Sequence, residues 1–334
     1  MPTRFLIFLL FTSFRIAAQH DSVKRSADYD TLSITLENVR YPYPVKFISL
    51  SIGCEDVRMA YMDVRPPTTP NGLTVVLLHG KNFGGYYWKD VIAALVRAGY
   101  RVVVPDQVGF GRSSKPFINY SFHMLASQTR KLLDSLDVER SIVIGHSMGG
   151  MLATRFALMY PHKVDRLILE NPIGLEDYKA FVPYVTLEEQ YRIELRTTTA
   201  SVKRYYQSSY FPEWKDDYDY LVGIGSGVVN SAEFPRYAKV AAMTYQMIYE
   251  QPVLYEFSRL EMPVVLMIGI KDRTVVGKDK LAPEVVGNYG NYEKLGKQTA
   301  GKIKRCRLVE FNAGHIPHVE RPQEFVDELI MALK

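Results

Sequence analysis

Residues 141–150, with the sequence SIVIGHSMGG, constrain the fold more than any other stretch of this 334-residue chain. The β-branched run at 142–144 predicts a buried strand, and the small residues after Ser147 favour a helix packed closely on that strand. Ser147 stands between Gly145 and Gly149, a pattern typical of a strained strand-to-helix turn that presents a nucleophilic serine. The N-terminus of the predicted helix would direct backbone N–H groups toward negative charge developing at Ser147.

Segments with strand-like and helix-like patterns alternate along most of the chain. Residues 45–52 and 57–64 predict a hairpin, and the later alternation predicts a parallel sheet with helices on both faces. The alternation stops at residues 175–256, which lack a clear buried strand and contain 12 of the 23 tyrosines. We therefore predict one α/β domain with an inserted helical cap. Its predicted parts are a lead-in at 19–44, a core at 45–174 and 257–334, and the cap at 175–256.

A serine hydroxyl is a weak nucleophile at neutral pH, so it requires a base and an acid that orients the base. In a strand–turn–helix elbow these residues follow the chain order serine, acid, histidine. Asp272 comes after the strand-like run 264–270, and His315 comes after the run 307–311. Because carboxyl ends of parallel strands meet at one edge of a sheet, we predict that Ser147, Asp272 and His315 lie together there.

Each of these residues also has a structural interpretation. Asp272 could be an exposed loop charge, and His318 competes with His315 for the role of base. We predict His315 as the base because Gly314, directly before it, allows the backbone to turn tightly.

An activated serine also requires two donors for the oxyanion of the tetrahedral intermediate. The N–H of Met148 follows the nucleophile directly. The second donor should come from the loop at 79–83, where the N–H of Lys81 is the predicted donor. We interpret His79 as a structural residue beneath this loop. The predicted supports of the elbow and the loop are Gly145, Gly149, His79 and Gly80.

Together these motifs resemble the α/β-hydrolase superfamily, and more narrowly its cap-bearing branch with a serine nucleophile. The segments that carry the resemblance are the elbow at 145–149, the His79-Gly80 loop, PDQVGFGRS at 105–113, Asp272, and GHIPHVE at 314–320. The resemblance spans residues 45–334 and implies an eight-stranded, mostly parallel sheet with the first hairpin at its antiparallel edge. It also implies a helical cap between strands six and seven. By position it assigns Ser147 as nucleophile, Asp272 as acid, His315 as base, and Lys81 and Met148 as oxyanion donors.

The sequence departs from related families at two places. Relatives that cleave carbon–halogen bonds or epoxides carry aspartate at the nucleophile position, so Ser147 argues against both activities. Lys81 and Asn82 stand where a proline commonly follows the His-Gly pair.

The predicted function is a serine hydrolase that forms an acyl-enzyme on a carboxylic ester and needs no metal or organic cofactor. The same triad serves proline-releasing aminopeptidases, carbon–carbon bond hydrolases, lactonases and acyltransferases, and the fold can also serve a ligand-binding protein, so these alternatives stay open. The tyrosine-rich cap predicts an apolar or aromatic acyl pocket, unless its tyrosines only pack the cap. The candidate pocket residues are Tyr205, Tyr206 and Tyr210. In an aminopeptidase the candidates for binding an amine are Glu188, Glu189 and Glu194, which otherwise form a solvated face.

The N-terminus has the order of a signal peptide over residues 1–18. Arg4 precedes an apolar run at 5–14, and the residues at 16–18 offer a cleavage site before Gln19. The alternative is an apolar N-terminal strand or helix. The run is too short to span a bilayer, and no later run is long enough. We expect export to the periplasm or the cell exterior, with no stable membrane anchor.

Charge and cysteine content add two further expectations. The formal net charge of +5 is small for this length, and the pattern of basic residues gives no indication of nucleic-acid binding, so we expect a small-molecule substrate. Two cysteines are too few for a disulfide scaffold, and we interpret Cys54 and Cys306 as unpaired.

Overall fold

The computed structural model describes residues 30–67 and 69–334. The predicted signal peptide at 1–18 and the first part of the lead-in lie outside the described residues. Within the described residues, eight strands form one sheet in the order β1-β2-β4-β3-β5-β6-β7-β8. The strands are β1 Val45–Ile52, β2 Glu55–Val64, β3 Thr74–Leu78, β4 Arg101–Pro105, β5 Ser141–His146, β6 Val164–Glu170, β7 Val264–Gly269 and β8 Cys306–Phe311.

The strand directions match the predicted sheet. Strand β2 runs antiparallel to both β1 and β4, and every other neighbouring pair is parallel. All residues of the central strands β5 and β7 are buried, as continuous apolar runs in a parallel sheet predict. The prediction of an eight-stranded, mostly parallel sheet with an antiparallel hairpin at its edge is therefore confirmed.

Helices cover both faces of the sheet and form two cores. In β4, Val103 faces the core that contains α2 and α3, whereas Val102 and Val104 face the core that contains α1 and α11. The helices are α1 Lys89–Arg97, α2 Phe122–Ser135, α3 Met148–Met159, α4 Leu187–Glu194, α5 Thr199–Tyr205, α6 Asp219–Val229, α7 Phe234–Glu250, α8 Pro283–Val286, α9 Tyr292–Ala300, α10 Pro317–Glu320 and α11 Pro322–Leu333.

The chain between β6 and β7 forms the cap. It contains α4 to α7 and a π-helical turn, Tyr206–Tyr210, that follows α5 directly. The described part of the lead-in packs against this cap: the N–H of Leu32 donates to the carbonyl of Gly227 in α6 at 2.8 Å. Buried Asp106 ties the lead-in to the core, because its carboxylate accepts from the hydroxyl of Tyr41 and the N–H of Gly85, both at 2.6 Å.

Some boundaries differ from the sequence predictions by a few residues. Strand β2 begins at Glu55, so the hairpin turn consists of Gly53 and Cys54, and Gly53 has the positive φ of +61° that such a short turn requires. Cys54 and Cys306 are both free thiols; Cys54 lies in the turn of the edge hairpin, and Cys306 lies on β8 at the opposite edge of the sheet. Among the described helices, none combines the length and the apolarity that crossing a bilayer requires.

Candidate active site

Ser147 occupies a strained turn between β5 and α3. Its backbone has φ 57° and ψ −121°, in the region that non-glycine residues rarely adopt. Three main-chain hydrogen bonds hold the turn: the N–H of Ser147 donates to the carbonyl of Glu170 at 3.1 Å, and its carbonyl accepts from the N–H groups of Gly150 and Ile173. Helix α3 begins at the next residue, Met148, so the serine lies at the positive end of a helix.

The two glycines of the elbow are required by close packing. A Cβ on Gly145 would lie 2.2 Å from the carbonyl oxygen of Gly149. A Cβ on Gly149 would lie 2.1 Å from the carbonyl oxygen of Leu78 in β3. Neither distance is possible for real atoms, so any side chain at these positions would displace α3 from the sheet.

The structure brings Ser147, His315 and Asp272 into one hydrogen-bonded line. The Nε2 atom of His315 lies 2.9 Å from the Oγ of Ser147, and its Nδ1 lies 2.6 Å from the Oδ2 of Asp272. Because a carboxylate can only accept, Nδ1 carries a proton and donates to Asp272, which leaves Nε2 free to accept the serine proton. All three side chains are buried beneath the cap, and Ser147 exposes only 5% of its surface.

Asp272 is held by a residue that the sequence analysis did not identify. The amide Nδ2 of Asn171 donates to Oδ2 of Asp272 at 2.9 Å, while the N–H of Thr274 donates to Oδ1 at 2.7 Å. Asn171 is itself fixed, because its Oδ1 accepts from the N–H of Gly269 at 2.8 Å. Asn171 directly follows β6, the strand next to β7. The sequence signal for this role was therefore a polar residue at the carboxyl end of a strand that neighbours the one before Asp272.

Glu320 and the cap both hold the turn that carries His315. The Glu320 carboxylate accepts from the N–H of Gly314 at 2.9 Å and from that of Ile316 at 3.3 Å. Burial raises the pKa of Glu320 to about 7, although these backbone N–H groups lower it. A Cβ on Gly314 would lie 2.3 Å from the carbonyl oxygen of Tyr210. Glycine is therefore required here by the close approach of the cap, and not by the tight turn that we predicted.

His318 occupies a separate buried site. Its N–H and its Nδ1 both donate to the carboxylate of Glu170, each at 2.9 Å, and its ring stacks on Trp88 with centroids 4.3 Å apart. Both side chains are buried. Since Glu170 ends β6, this pair lies behind the elbow. The histidine that reaches Ser147 is His315.

The loop with the predicted oxyanion donor is fixed from below by His79. Its Nδ1 donates to the carbonyl of Gly80 at 2.8 Å, and its Nε2 accepts from the N–H of Gln107 at 3.0 Å. Burial lowers the pKa of His79, consistent with this neutral tautomer. Because the peptide unit is planar and trans, holding the Gly80 carbonyl also fixes the direction of the Lys81 N–H. A Cβ on Gly80 would lie 3.1 Å from the Cβ of Ser147, so this loop lies against the nucleophile.

The π-helical turn of the cap contacts both the loop that carries Asp272 and His315 itself. The ring of Tyr210 stacks on His315 with centroids 4.7 Å apart, and the carbonyl of Tyr210 accepts from the N–H of His315 at 2.8 Å. The hydroxyl of Tyr210 accepts from the amide of Asn82 at 2.9 Å. The hydroxyl of Thr274, two residues after Asp272, donates to the carbonyl of Ser209 at 3.1 Å.

The three predicted pocket tyrosines therefore have different environments. Tyr206 and Tyr210 are buried, and Tyr210 packs on His315, whereas Tyr205 is 40% exposed. The ring of Tyr205 packs edge-on against Tyr210, with centroids 5.0 Å apart. Of the three, Tyr205 is the most exposed to solvent.

Of the three cap glutamates considered for amine binding, one reaches the oxyanion loop. Glu194 lies 3.7 Å from the Nζ of Lys81, and both side chains are about one-fifth exposed. Glu189 caps α4 through Thr186, and Glu188 pairs with Arg192 on the exposed side of the same helix. The side chain of Lys81, which we had given no function, thus connects the oxyanion loop to the cap.

Comparison with known proteins identifies the family. Residues 74–322 match the family model of the alpha/beta hydrolase fold. The chain belongs to the α/β-hydrolase fold family. A solved structure from Pseudomonas aeruginosa, described as a probable hydrolytic enzyme, has a TM-score of 0.90 and is 44% identical. That match covers 92% of this chain and 100% of the other.

Matches to curated relatives of this α/β hydrolase are shorter. A 2-hydroxy-6-oxononadienedioate/2-hydroxy-6-oxononatrienedioate hydrolase from Paraburkholderia xenovorans is 37% identical over 145 residues, which are 42% of this chain. An uncharacterized protein from Mycobacterium tuberculosis is 40% identical over 105 residues, or 31% of this chain. These matches span 48% and 30% of the two relatives. The superfamily resemblance seen in the sequence is confirmed, and the chain is a member of a hydrolase family.

In residues 30–67 and 69–334, no group of three or more histidine, cysteine, aspartate or glutamate side chains has an arrangement that could hold a metal ion.

Proposed function

We propose that this α/β hydrolase is a serine hydrolase that forms an acyl-enzyme on Ser147 and acts on carboxylic esters. One observation carries the proposal: His315 lies between Ser147 and Asp272, with hydrogen bonds of 2.9 and 2.6 Å on its two ring nitrogens. In this arrangement the base is already in the tautomer that accepts a serine proton.

In the acylation step, Oγ of Ser147 attacks the ester carbonyl carbon while its proton passes to Nε2 of His315. Asp272 holds the other ring nitrogen and stabilises the imidazolium that forms. The N–H groups of Lys81 and Met148 are the proposed donors to the oxyanion of the tetrahedral intermediate, and loss of one such donor typically costs about 10²- to 10³-fold in kcat. When the intermediate collapses, the proton on Nε2 moves to the departing alkoxide, which leaves as the alcohol.

In the deacylation step, water replaces the alcohol as the nucleophile. His315 takes a proton from the water as it attacks the acyl carbon, and it returns that proton to Oγ of Ser147 when the second tetrahedral intermediate collapses. The carboxylic acid leaves and the enzyme is restored. Since Ser147 exposes only 5% of its surface, an ester with a sizeable acyl group requires the cap to move before it binds.

A second candidate function is hydrolysis of a carbon–carbon bond. The partial match to the Paraburkholderia xenovorans hydrolase favours it, at 37% identity over 145 residues. The same serine, histidine and aspartate can carry either reaction. A direct comparison of kcat/KM for p-nitrophenyl esters and for 2-hydroxy-6-oxononadienedioate separates the two, because the natural class is the one turned over more efficiently.

The proposed nucleophile is tested by covalent labelling. The full chain is treated with a fluorophosphonate, and the labelled peptide is identified by mass spectrometry. We expect label on Ser147, and we expect Ser147→Ala to lose the label and about 10⁴-fold or more of kcat on p-nitrophenyl esters while it stays folded. Turnover close to that of the wild type in the alanine variant would refute the proposal.

Export is a separate part of the proposal. It rests on the order of residues 1–18, in which a basic residue, an apolar run and small residues precede Gln19. Mass spectrometry of the exported protein should give an N-terminus near Gln19. A secreted product that still begins at Met1 would contradict this prediction.

A further inference from the structure

A chain of buried hydrogen bonds links the oxyanion loop to the base through two residues outside the triad. The N–H of Gly80 donates to the hydroxyl of Tyr87 at 3.0 Å, and that hydroxyl lies 2.9 Å from Nδ1 of His146. The Nε2 of His146 lies 2.8 Å from the carbonyl oxygen of His315. His146 directly precedes Ser147, so this series of hydrogen bonds passes behind the proposed nucleophile.

The groups at the two ends of this series of hydrogen bonds determine the position of every proton within it. The carbonyl of His315 can only accept, so Nε2 of His146 carries a proton and donates to it. The N–H of Gly80 can only donate, so the Tyr87 oxygen accepts from it. The Tyr87 hydroxyl proton is then directed at Nδ1 of His146, which accepts as the unprotonated nitrogen of a neutral imidazole.

The surroundings of His146 keep it neutral. Its side chain is fully buried and packs near the aromatic rings of Phe83 and Trp88. Burial lowers its pKa well below the ordinary value of 6.5. The titratable groups that face it are those of Tyr87, His315, His318 and His79. The charges of the three histidines lower that pKa further, whereas the hydrogen bond to the backbone of His315 raises it. A protonated His146 would lose the acceptor at Nδ1 and leave the Tyr87 hydroxyl proton without its partner.

We propose that His146 and Tyr87 are positioning residues that fix the base and the oxyanion loop relative to each other. The inference rests on the proposed serine-hydrolase function. His146 holds the main chain of His315 at its carbonyl, while Tyr210 holds the same residue at its N–H. Tyr87 holds Gly80 at its N–H, while His79 holds the carbonyl of Gly80. The base and the Lys81 peptide therefore share one rigid frame behind Ser147.

Two substitutions at position 146 separate the two ends of the chain. The amide nitrogen of glutamine can take the position of Nε2, so His146→Gln keeps a donor for the His315 carbonyl. The amide oxygen of asparagine can take the position of Nδ1, so His146→Asn keeps the acceptor for Tyr87 and loses that donor. Rates are expressed per active site, titrated with the fluorophosphonate, so that any misfolded fraction does not count.

We expect kcat per titrated site to stay within about threefold of the wild type in His146→Gln. In His146→Asn we expect it to fall about 10- to 100-fold, because small misplacements of reacting groups are costly. The acid limb of the kcat/KM profile reports the pKa of the base in the free enzyme. In His146→Asn we expect this limb to move to lower pH, because a displaced His315 loses part of its hydrogen bond to Asp272. A residue that only stabilised the fold would not move this limb.

Tyr87→Phe tests the other end of the chain, with Tyr86→Phe as the matched control. Both changes remove a buried tyrosine hydroxyl, but only the first leaves the N–H of Gly80 and Nδ1 of His146 unpaired. We expect about a 10-fold loss of kcat per site in Tyr87→Phe and no more than a twofold change in the control.

The outcomes distinguish this inference from the proposed function. A wild-type chain that neither takes the label nor hydrolyses esters refutes the proposed function itself. A labelled, active wild type combined with unchanged kcat per site and an unchanged acid limb in His146→Asn refutes the positioning role alone. If His146→Asn does not fold, the result for Tyr87→Phe decides. A loss of kcat per site that is absent from Tyr86→Phe supports the positioning role, and equal rates in Tyr87→Phe and Tyr86→Phe overturn it.

Discussion

The ring of the cap residue Tyr210 lies almost parallel to the imidazole of His315, with 17° between the planes and 4.7 Å between the centroids. The carbonyl of the same tyrosine accepts the N–H of that histidine at 2.8 Å. A cap residue thus supports the proposed base on its face and on its main chain. The cap therefore contributes to the geometry of the reaction centre in addition to covering it.

This contact predicts different results for two substitutions at Tyr210. Tyr210→Phe keeps the stacked ring and loses the hydrogen bonds of its hydroxyl with Asn82 and Tyr205, so kcat/KM on p-nitrophenyl acetate should change less than in Tyr210→Ala. Tyr210→Ala removes a ring contact typically worth about 0.5–1.5 kcal/mol, so kcat/KM and the rate of fluorophosphonate labelling should fall about 2- to 10-fold. Labelling of the alanine variant at the wild-type rate would show that the stacked ring does not support the base.

Tyr205 should behave differently because 40% of its surface is exposed and its ring meets Tyr210 edge-on instead of stacking on His315. Tyr205→Ala is expected to change the order of kcat/KM across p-nitrophenyl esters of increasing acyl length. The same variant should react with a small fluorophosphonate at close to the wild-type rate, since the ring stacked on the base remains. An unchanged order of chain lengths would make Tyr205 a packing residue of the cap.

The two neighbouring histidines are predicted to fail in different ways. His315→Ala should lose as much kcat as Ser147→Ala while it stays folded, because its ring is the proposed base. His318→Ala removes the imidazole donor to the buried carboxylate of Glu170 and keeps only the N–H of residue 318 from this pair, which typically costs about 1–3 kcal/mol of stability. Denaturant unfolding together with kcat per titrated site measures both effects. Loss of kcat per site in His318→Ala at full stability would reverse the assignment.

Glu320 predicts a dependence of stability on pH. Its pKa in the folded protein is about 7, raised by burial from an ordinary value of 4.5, so the folded state binds this proton more tightly than the unfolded chain. Its contribution to stability is therefore full below about pH 4.5 and is lost as pH rises toward 7, by at most about 3 kcal/mol. Glu320→Gln should remove this part of the slope.

The comparison for Glu320 is between variant and wild type at each pH, because other carboxyl groups titrate in both proteins. The free energy of unfolding is measured by denaturant titration between pH 4.5 and 8. We expect the stability of Glu320→Gln relative to the wild type to increase over this range and then to level off. A constant difference would mean that the buried carboxyl group titrates at its ordinary pKa.

The sequence was most informative where function depends on residues close together in the chain. The elbow, the ends of β7 and β8 and the order of Ser147, Asp272 and His315 could all be read from local patterns. The support of these residues could not, because it depends on contacts between distant segments. Asn171 reaches Asp272 across 101 residues, and His146 reaches the carbonyl of His315 across 169 residues.

Gly314 illustrates the same limit. The residue type indicated that something was unusual before His315, and a tight turn was the local explanation. The actual cause is the carbonyl oxygen of Tyr210, more than 100 residues earlier, which approaches to where a Cβ would stand. Similarly, nothing local to Lys81 indicated that its side chain would meet Glu194 in the cap.

The hydrogen bonds that the turn Tyr206–Tyr210 forms with the acid and base loops have a consequence for protein engineering. Caps are attractive units for exchange between related hydrolases, because they are inserted between two strands of a common core. In this chain, a graft that replaced all of residues 175–256 would also remove the carbonyl groups of Ser209 and Tyr210, to which Thr274 and His315 donate. A chimera designed to change specificity should therefore replace residues in α5 and α6, the helices before and after this turn, and should keep the turn itself unchanged.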